Sequence, residues 1–342
     1  MKKLNWGIIG LGNIAQKFSE AFAETSNAKL LAVASKNSQK IENFKKQFSI
    51  EDRFSFKNYE DLINCHDVDI VYIALPNLFH FHWISECIKN NKNILVEKPA
   101  TQNLNEAIEI KKKLINKKIF FGEAFMYRYH PQITYIIDLI KNETLGDLIS
   151  MKSSFGINIL TKRKFLFFKK KRKINKHDRR FDKKLGGGCI LDLGCYPTSF
   201  SLLINSIVDK QENFDFSLSK IIKNIGETDV DLHSSVNILF KSGFKSKIEA
   251  SFKEDLGKKT IITGNYGEII INDTWQGNNS VILNKKGKNE VKHFGGNKSI
   301  YSYQIEQISK NILNGYKKVE YPGMNFEETL CNMKIIDQWL NA

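Results

Sequence analysis

The sequence predicts an α/β protein, with a doubly wound parallel sheet over residues 1–122 and a second α/β domain, built on a largely antiparallel sheet, over 123–342. Short runs rich in Val, Ile and Leu alternate strictly with amphipathic stretches at the start of the chain, the pattern of strands buried on both faces and the helices that cover them. From about residue 123 the texture changes, and strand-like segments follow one another without regular helices between them. A chain of 342 residues also exceeds what one comfortable core holds, so two domains are expected.

The elements follow in order. Strands are expected at 4–9, 29–34, 69–75, 93–96 and 118–121, with helices at 13–25, 38–48, 79–90 and 103–116. The last of these opens on Asn103 with Glu106 three residues on, a capping-box pattern. Ile133, Ile136, Ile137 and Ile140 repeat at helical spacing and predict a helix over 131–142. Strands are then expected at 147–157, 234–241, 245–252, 260–263, 268–271, 280–283 and 290–294. Val236, Ile238 and Phe240 alternate with polar residues, which suits an antiparallel sheet with one covered face. Helices over 299–313 and 326–340 close the chain.

Hydrophobic content of 42% and charged content of 26% are those of an ordinary globular protein. No uninterrupted apolar run approaches the length of a membrane span, and the apolar start lacks a small-residue cleavage site after it. Five cysteines without CxxC spacing (Cys65, Cys87, Cys189, Cys195 and Cys331) make neither a disulfide framework nor a zinc cluster, and point to a reduced, cytoplasmic protein. The net charge of +15 is local: residues 161–184 hold thirteen Lys and Arg against two Asp, a balance of +11. This run interleaves its cations with Phe165, Leu166, Phe167 and Phe168. It reads as a nucleic-acid or anionic-membrane patch, as a solvated loop, or as an attractor for a phosphorylated, carboxylated or nucleotide-linked substrate. The solvated loop is the preferred reading, and neither nucleic acid nor membrane is expected as a partner.

The first strand runs into 10-GLGNIA-15, a GxGxxA turn opening a helix. Gly10 permits the tight turn, Gly12 lets the backbone approach a pyrophosphate, and the amides around Asn13 and Ile14 face the anion, helped by the helix dipole. At the end of the second strand, an NAD site needs an Asp or Glu for the ribose hydroxyls. This chain has Ser35 and Lys36 there, a hydroxyl and a cation that suit a 2′-phosphate. NADP(H) is therefore expected over NAD(H), with Lys36 as a plain solvated lysine the alternative. In an open α/β sheet ligands lie beyond the carboxyl ends of the strands, which places Leu75, Pro76, Asn77, His80, Glu97, Lys98 and Pro99 on the cofactor rim. His80 and His82 have HxH spacing but no third ligand, and no metal is expected.

The stretch 184-KLGGGCILDLGCYPTSF-200 follows three glycines with Asp192 and Tyr196, four residues apart. On a helix they share a face, as half of an active site or as a local cap beside a packed ring. Pro197 cannot donate the helical bond to residue 193, so a kink is expected there.

The pieces 10-GLGNIA-15, 74-ALPNLFH-80, 97-EKP-99, 123-EAFMYRYHPQ-132 and 186-GGGCILDLGCY-196 together resemble the glucose-fructose oxidoreductase, inositol dehydrogenase and MocA family of NAD(P)-dependent oxidoreductases. The resemblance implies a Rossmann domain followed by a substrate-binding α/β domain that often mediates oligomerisation, here a dimer or tetramer. Tyr rather than His at 196 is similar to the branch holding dihydrodiol dehydrogenase and NADP-dependent xylose dehydrogenase. It implies hydride transfer at a CH–OH group of an aldose, polyol or dihydrodiol, with a nucleotide-sugar or sugar-phosphate dehydrogenase as one alternative and a non-catalytic dinucleotide sensor as another. With it, Tyr196 is the expected acid/base, Lys98 its electrostatic partner and proton relay, and Asp192 the acceptor of a substrate hydroxyl or an orienting carboxylate. The glycines 186–188 are expected to pack against cofactor or substrate and to start the helix. Arg180 is expected to reach substrate, as is Arg128, for which, as for Tyr129 and His130, packing is the alternative.

Overall fold

The computed structural model describes residues 2–163, 169–172, 174–175, 178–209, 214–277, 280–296 and 298–342. The expectations for Phe165, Leu166, Phe167 and Phe168, with Lys164, Lys173 and Lys176, fall outside the described residues. The chain divides into two compact units, Met1–His130 with Asn297–Leu330, and Pro131–Gly296 with Cys331–Ala342.

The first unit is built on a six-stranded sheet of β1 (Leu4–Ile9), β2 (Ala28–Ala34), β3 (Ser55–Phe56), β4 (Ile70–Ile73), β5 (Asn93–Val96) and β6 (Phe121–Glu123). Its order is β3-β2-β1-β4-β5-β6 and every pair is parallel. The order reverses beside β1, so the carboxyl ends of β1 and β4 bound the crevice where such sheets bind ligands. The helices are α1 (Asn13–Glu20), α2 (Ser38–Phe48), α3 (Tyr59–Asn64), α4 (His80–Lys89) and α5 (Leu104–Leu114). The N-cap forms as expected, Asn103 Oδ1 accepting the Glu106 N–H at 3.0 Å, while the Glu106 carboxylate reaches back past the cap to accept the Gln102 N–H at 2.9 Å. Several boundaries differ from expectation, those of the first helix and the sixth strand among them, and β3 and α3 were not expected. The first helix stops at Glu20 and continues as a tighter turn, Ala21–Glu24. The sixth strand lies at Phe121–Glu123 rather than 118–121, because Phe120 N–H is already taken by the Asn93 side chain and pairing starts at Phe121.

The second unit carries α6 (Pro131–Lys141), strand β7 (Leu148–Gly156), a short ribbon of β8 (Thr161–Arg163) and β9 (Lys169–Lys171), and α7 (Cys195–Val208). Then come β10 (Phe216–Ile225), β11 (Asp231–Phe240), β12 (Lys245–Ser251), β13 (Thr260–Gly264), β14 (Gly267–Ile271), β15 (Ser280–Lys285) and β16 (Lys288–His293). The eight-stranded sheet runs β10-β11-β12-β7-β13-β14-β15-β16 and is antiparallel except for the β12–β7 pair. Strand β10 was not expected: its register slips between Ser219 and Ile222, with Lys220 at φ +51°, which breaks the period-two pattern that marks a strand. Two helices close the chain, α8 (Ile300–Leu313) in the first unit and α9 (Phe326–Asn341), within which the division between units falls.

Helix α7 is buried along most of its length, from Cys195 to Asn205. The segment Lys183–Val208 is long and apolar enough to cross a membrane, but 94% of its most apolar window is buried inside the fold. Just before it, Ile190–Gly194 forms a wider π-helical turn, and Pro197 falls in the first turn of α7. There a missing N–H costs little, so the irregularity expected at Pro197 lies ahead of it instead.

Candidate active site

The turn 10–15 has the geometry its sequence demands. Gly10 lies at φ +89°, and a Cβ there would sit 2.6 Å from the Ala74 carbonyl oxygen, so no other residue fits. Gly12 precedes α1 with no side chain capping the helix, no acidic residue stands in the first turn, and a Cβ at Gly12 would meet no atom within 4 Å. The first-turn amides of Asn13 and Ile14 thus have the character of an anion site, and the space before Gly12 admits a pyrophosphate. At the end of β2 the Ser35 hydroxyl accepts the Asn37 N–H at 3.1 Å, and Lys36 is exposed.

Beyond the carboxyl ends of β4 and β5, the loop 97–100 is pinned at three residues, Glu97, Pro99 and Ala100. The Tyr72 hydroxyl donates to the Glu97 carboxylate, while the Tyr72 ring stacks on Phe18 of α1 at 3.9 Å. The Pro99 carbonyl takes the Asn77 amide at 2.6 Å and faces His80 Nδ1 at 3.0 Å; the other ring nitrogen of His80 faces the Leu75 carbonyl at 2.8 Å. The Ala100 N–H donates to Glu123 at 2.9 Å. Lys98, partly exposed, stands within this pinned loop. Leu75 and Pro76 are half-buried on the same rim, and Asn77 is buried with its Oδ1 unpaired. An orphaned acceptor at the rim of this crevice, together with the open anion turn, fits a dinucleotide with ribose hydroxyls to donate.

Several sequence expectations change here. Arg128 is fully buried and donates to both oxygens of Glu328, at 2.9 and 3.1 Å, so its guanidinium is committed to the interior of the first unit rather than to substrate. His130 is buried as well, and burial pulls its imidazole down to about 4. The glycines 186–188 pack against the protein itself. Gly188 lies at φ +109°, and a Cβ there would come within 2.3 Å of the Asp231 carboxylate, which accepts the Ile190 N–H at 2.6 Å. The glycines do start the helix, but through this buried Asp231, which sequence reasoning missed.

In that segment Asp192 lies on the π-helical turn and Tyr196 on the next turn, in α7. The Tyr196 ring is nearly buried, edge-on to Phe155 at 5.2 Å and tilted against Trp275 at 5.7 Å. Asp192 is paired with Arg179 at 3.3 Å. Arg180 is instead gripped by Asp178, whose two oxygens take its Nε and Nη2, and that hydrogen bonding holds the Asp178 carboxyl below its ordinary range. Arg180, Asp178, Ile159, Leu160 and Phe181 line a cavity of about 300 Å³. The residues the sequence did not single out are Arg179, Asp231 and Glu123. Only Glu123 left a signal, a carboxylate at the end of a buried strand.

Residues 4–124 match the oxidoreductase family with an NAD-binding Rossmann fold, and residues 133–270 match the GFO/IDH/MocA C-terminal domain. The chain is 26% identical to a trans-1,2-dihydrobenzene-1,2-diol dehydrogenase of Xenopus tropicalis, over 98% of this chain and 96% of that protein. It is 26% identical over 247 residues to a D-xylose 1-dehydrogenase (NADP(+)) of Haloferax volcanii, covering 72% of this chain and 69% of the relative. A 3-ketoreductase from Actinomadura kijaniata, solved in complex with NADP and TDP-benzene, shares the fold with a TM-score of 0.81 at 21% identity, over 98% and 96% of the two chains. The motifs of the turn, the EKP loop and the glycine-led helix therefore stand where two matching family models place an enzyme, and the chain belongs to the Gfo/Idh/MocA family of NAD(P)-dependent oxidoreductases.

Proposed function

We propose that the protein is an NADP-dependent dehydrogenase that transfers a hydride between the nicotinamide and a CH–OH group of an aldose or related polyol or dihydrodiol. The observation that carries this is the pinned loop 97–100, which presents Lys98 beyond the carboxyl ends of the strands, where a cofactor binds. Gly10, Gly12, Asn13 and Ile14 would hold the pyrophosphate and Ser35 with Lys36 the 2′-phosphate. Leu75, Pro76, Asn77, His80 and Glu97 would form the rim. When bound, the nicotinamide supplies the hydride acceptor or donor. Tyr196 takes the hydroxyl proton as the carbonyl forms and returns it in the reverse direction. Lys98 would serve as its electrostatic partner and relay the proton, and Asp192 would orient a substrate hydroxyl. In this reading the first unit serves the cofactor and the second the substrate.

A second reading, a sugar-phosphate or nucleotide-sugar dehydrogenase, is favoured by one observation: Arg179 on Asp192, beside the cavity that Arg180 lines. A non-catalytic sensor is the third, and retention of both Lys98 and Tyr196 argues against it. Cofactor reduction across free aldoses, polyols, dihydrodiols, sugar phosphates and nucleotide sugars, with NADP and NAD in parallel, separates the three. Turnover of a neutral aldose or diol with NADP supports the first reading. Turnover of anionic sugars alone supports the second, and tight NADPH binding without turnover supports the sensor.

The same proposal includes a homo-oligomer, dimer or tetramer, supported by Ile222, Ile225 and Leu239 exposed on β10 and β11. Sedimentation of the purified protein tests it. A cytoplasmic location is proposed from the five cysteines, all free.

A further inference from the structure

The Glu123 side chain ends β6 and is 1% exposed. It stands opposite Val96, the last residue of β5, and the chain leaves Val96 into the loop that carries Lys98. After Lys98 and Pro99 the loop turns back, and the Ala100 N–H meets Glu123 Oε1 at 2.9 Å. The other oxygen, Oε2, takes the Thr329 hydroxyl of α9 at 2.8 Å. A carboxyl group in so dry a place is costly to keep, and its two donors offset only part of that. Burial pushes its pKa up to about 7; the charges that face it are Arg128, which opposes the rise, and Glu328, which adds to it.

We infer that Glu123 is a positioning residue for Lys98, fixing the 97–100 backbone at the Ala100 N–H while Asn77 and His80 fix it at the Pro99 carbonyl. The peptide group that joins Pro99 to Ala100 is then held at both its carbonyl and its N–H by side chains from other elements, and the fourth point, Tyr72 on Glu97, holds the residue before Lys98. Loss of the Glu123 point frees one side of the loop, and displacement of a reacting group by about 1 Å costs on the order of 10²-fold in rate. This inference rests on the assignment of Lys98 to the reaction.

The test uses the full chain with three variants, Glu123→Ala, Glu123→Gln and Thr329→Val, measuring kcat on whichever substrate the panel identifies and the Kd for NADPH. Glu123→Ala is expected to lower kcat about tenfold or more while the Kd stays within about twofold. Glu123→Gln keeps an acceptor for the Ala100 N–H and a polar partner for Thr329, and should restore kcat to within about threefold of wild type. Thr329→Val, which leaves the carboxylate in place with one anchor gone, should fall between them. A purely structural role predicts otherwise: kcat and Kd would worsen together and Glu123→Gln would rescue neither.

A second readout needs no turnover. Trace acetylation of all lysines, followed by mass spectrometry, reports the environment of Lys98 directly. Glu123→Ala and Thr329→Val are expected to change its labelling rate at least about threefold, leaving other lysines such as Lys36 unchanged. Unchanged Lys98 labelling in both overturns the inference. Should Glu123→Ala fail to fold, the Thr329→Val labelling decides alone. If Lys98→Met retains wild-type kcat, the catalytic assignment of Lys98 falls, while the labelling still tests the anchor.

Discussion

The Arg179 guanidinium lies 3.3 Å from the Asp192 carboxylate, so the one acidic residue assigned to the substrate is shared with a cation from the basic segment. Arg179 is half exposed, and an exposed pair of this kind is worth little to stability. On the proposed function its effect is expected in selectivity. Arg179→Ala is expected to lower kcat/KM for phosphorylated or carboxylated sugars by about tenfold and to change it by less than about threefold for neutral ones, measured side by side. Equal losses on both classes would remove Arg179 from substrate selection.

Lys36 gives a second prediction. It is exposed at the end of β2, where no Asp or Glu stands to take ribose hydroxyls. Lys36→Ala should weaken NADPH binding by about tenfold and leave NADH binding within about twofold, read by fluorescence titration of each cofactor. A variant that binds both as the wild type does leaves Lys36 a solvated loop lysine.

Gly188 is a stability prediction. Its left-handed φ and the 2.3 Å that would separate a Cβ from the Asp231 carboxylate both forbid a side chain. Gly188→Ala is expected to destabilise the protein by about 3 kcal/mol, seen as a lowered urea midpoint. The shift would also disturb the Asp231 bond to Ile190 N–H that starts the segment bearing Asp192 and Tyr196, so activity should fall beyond what the unfolded fraction explains. A wild-type midpoint would mean that the close approach is relaxed in solution.

Glu123 carries a pH signature. Its carboxyl titrates near 7 in the fold against an ordinary 4.5, so the folded state holds the proton more tightly than the unfolded chain. The stability it contributes is fully present below about 4.5 and is lost as pH rises through about 7, by about 3 kcal/mol at most. Glu123→Gln cannot ionise, so its thermal midpoint relative to wild type should rise between pH 5 and pH 8. A difference that does not change with pH would contradict a buried carboxyl of this kind.

The fold was legible where chemistry admits few choices. Gly10 sits where only glycine fits, as its GxGxxA motif announces, and Asn103 caps its helix as written, because the cap depends on neighbours in sequence. Strand β10 escaped because a bulge interrupts its alternation, and the sixth strand was misplaced because the Asn93 side chain takes the Phe120 N–H. At the site, motif residues such as Lys98 and Tyr196 could be named from the chain, but partners far apart in sequence could not. Arg128 was expected at the substrate until Glu328, 200 residues away, proved to hold it; Arg180 is held by Asp178 only two residues off, an acceptor overlooked within its own basic run. Asp231 and Glu123 act through backbone N–H groups of Ile190 and Ala100, 41 and 23 residues away, which leave no local pattern.

The central claim is that Tyr196 moves the proton during NADP-linked hydride transfer. The most direct measurement is stopped-flow absorbance of NADPH formation in single turnovers by wild type and Tyr196→Phe, with NADPH affinity measured on the same samples. The account predicts a rate lower by on the order of 10²-fold or more with affinity unchanged, since only the phenol oxygen is removed. A Tyr196→Phe enzyme that forms NADPH at the wild-type rate would contradict it.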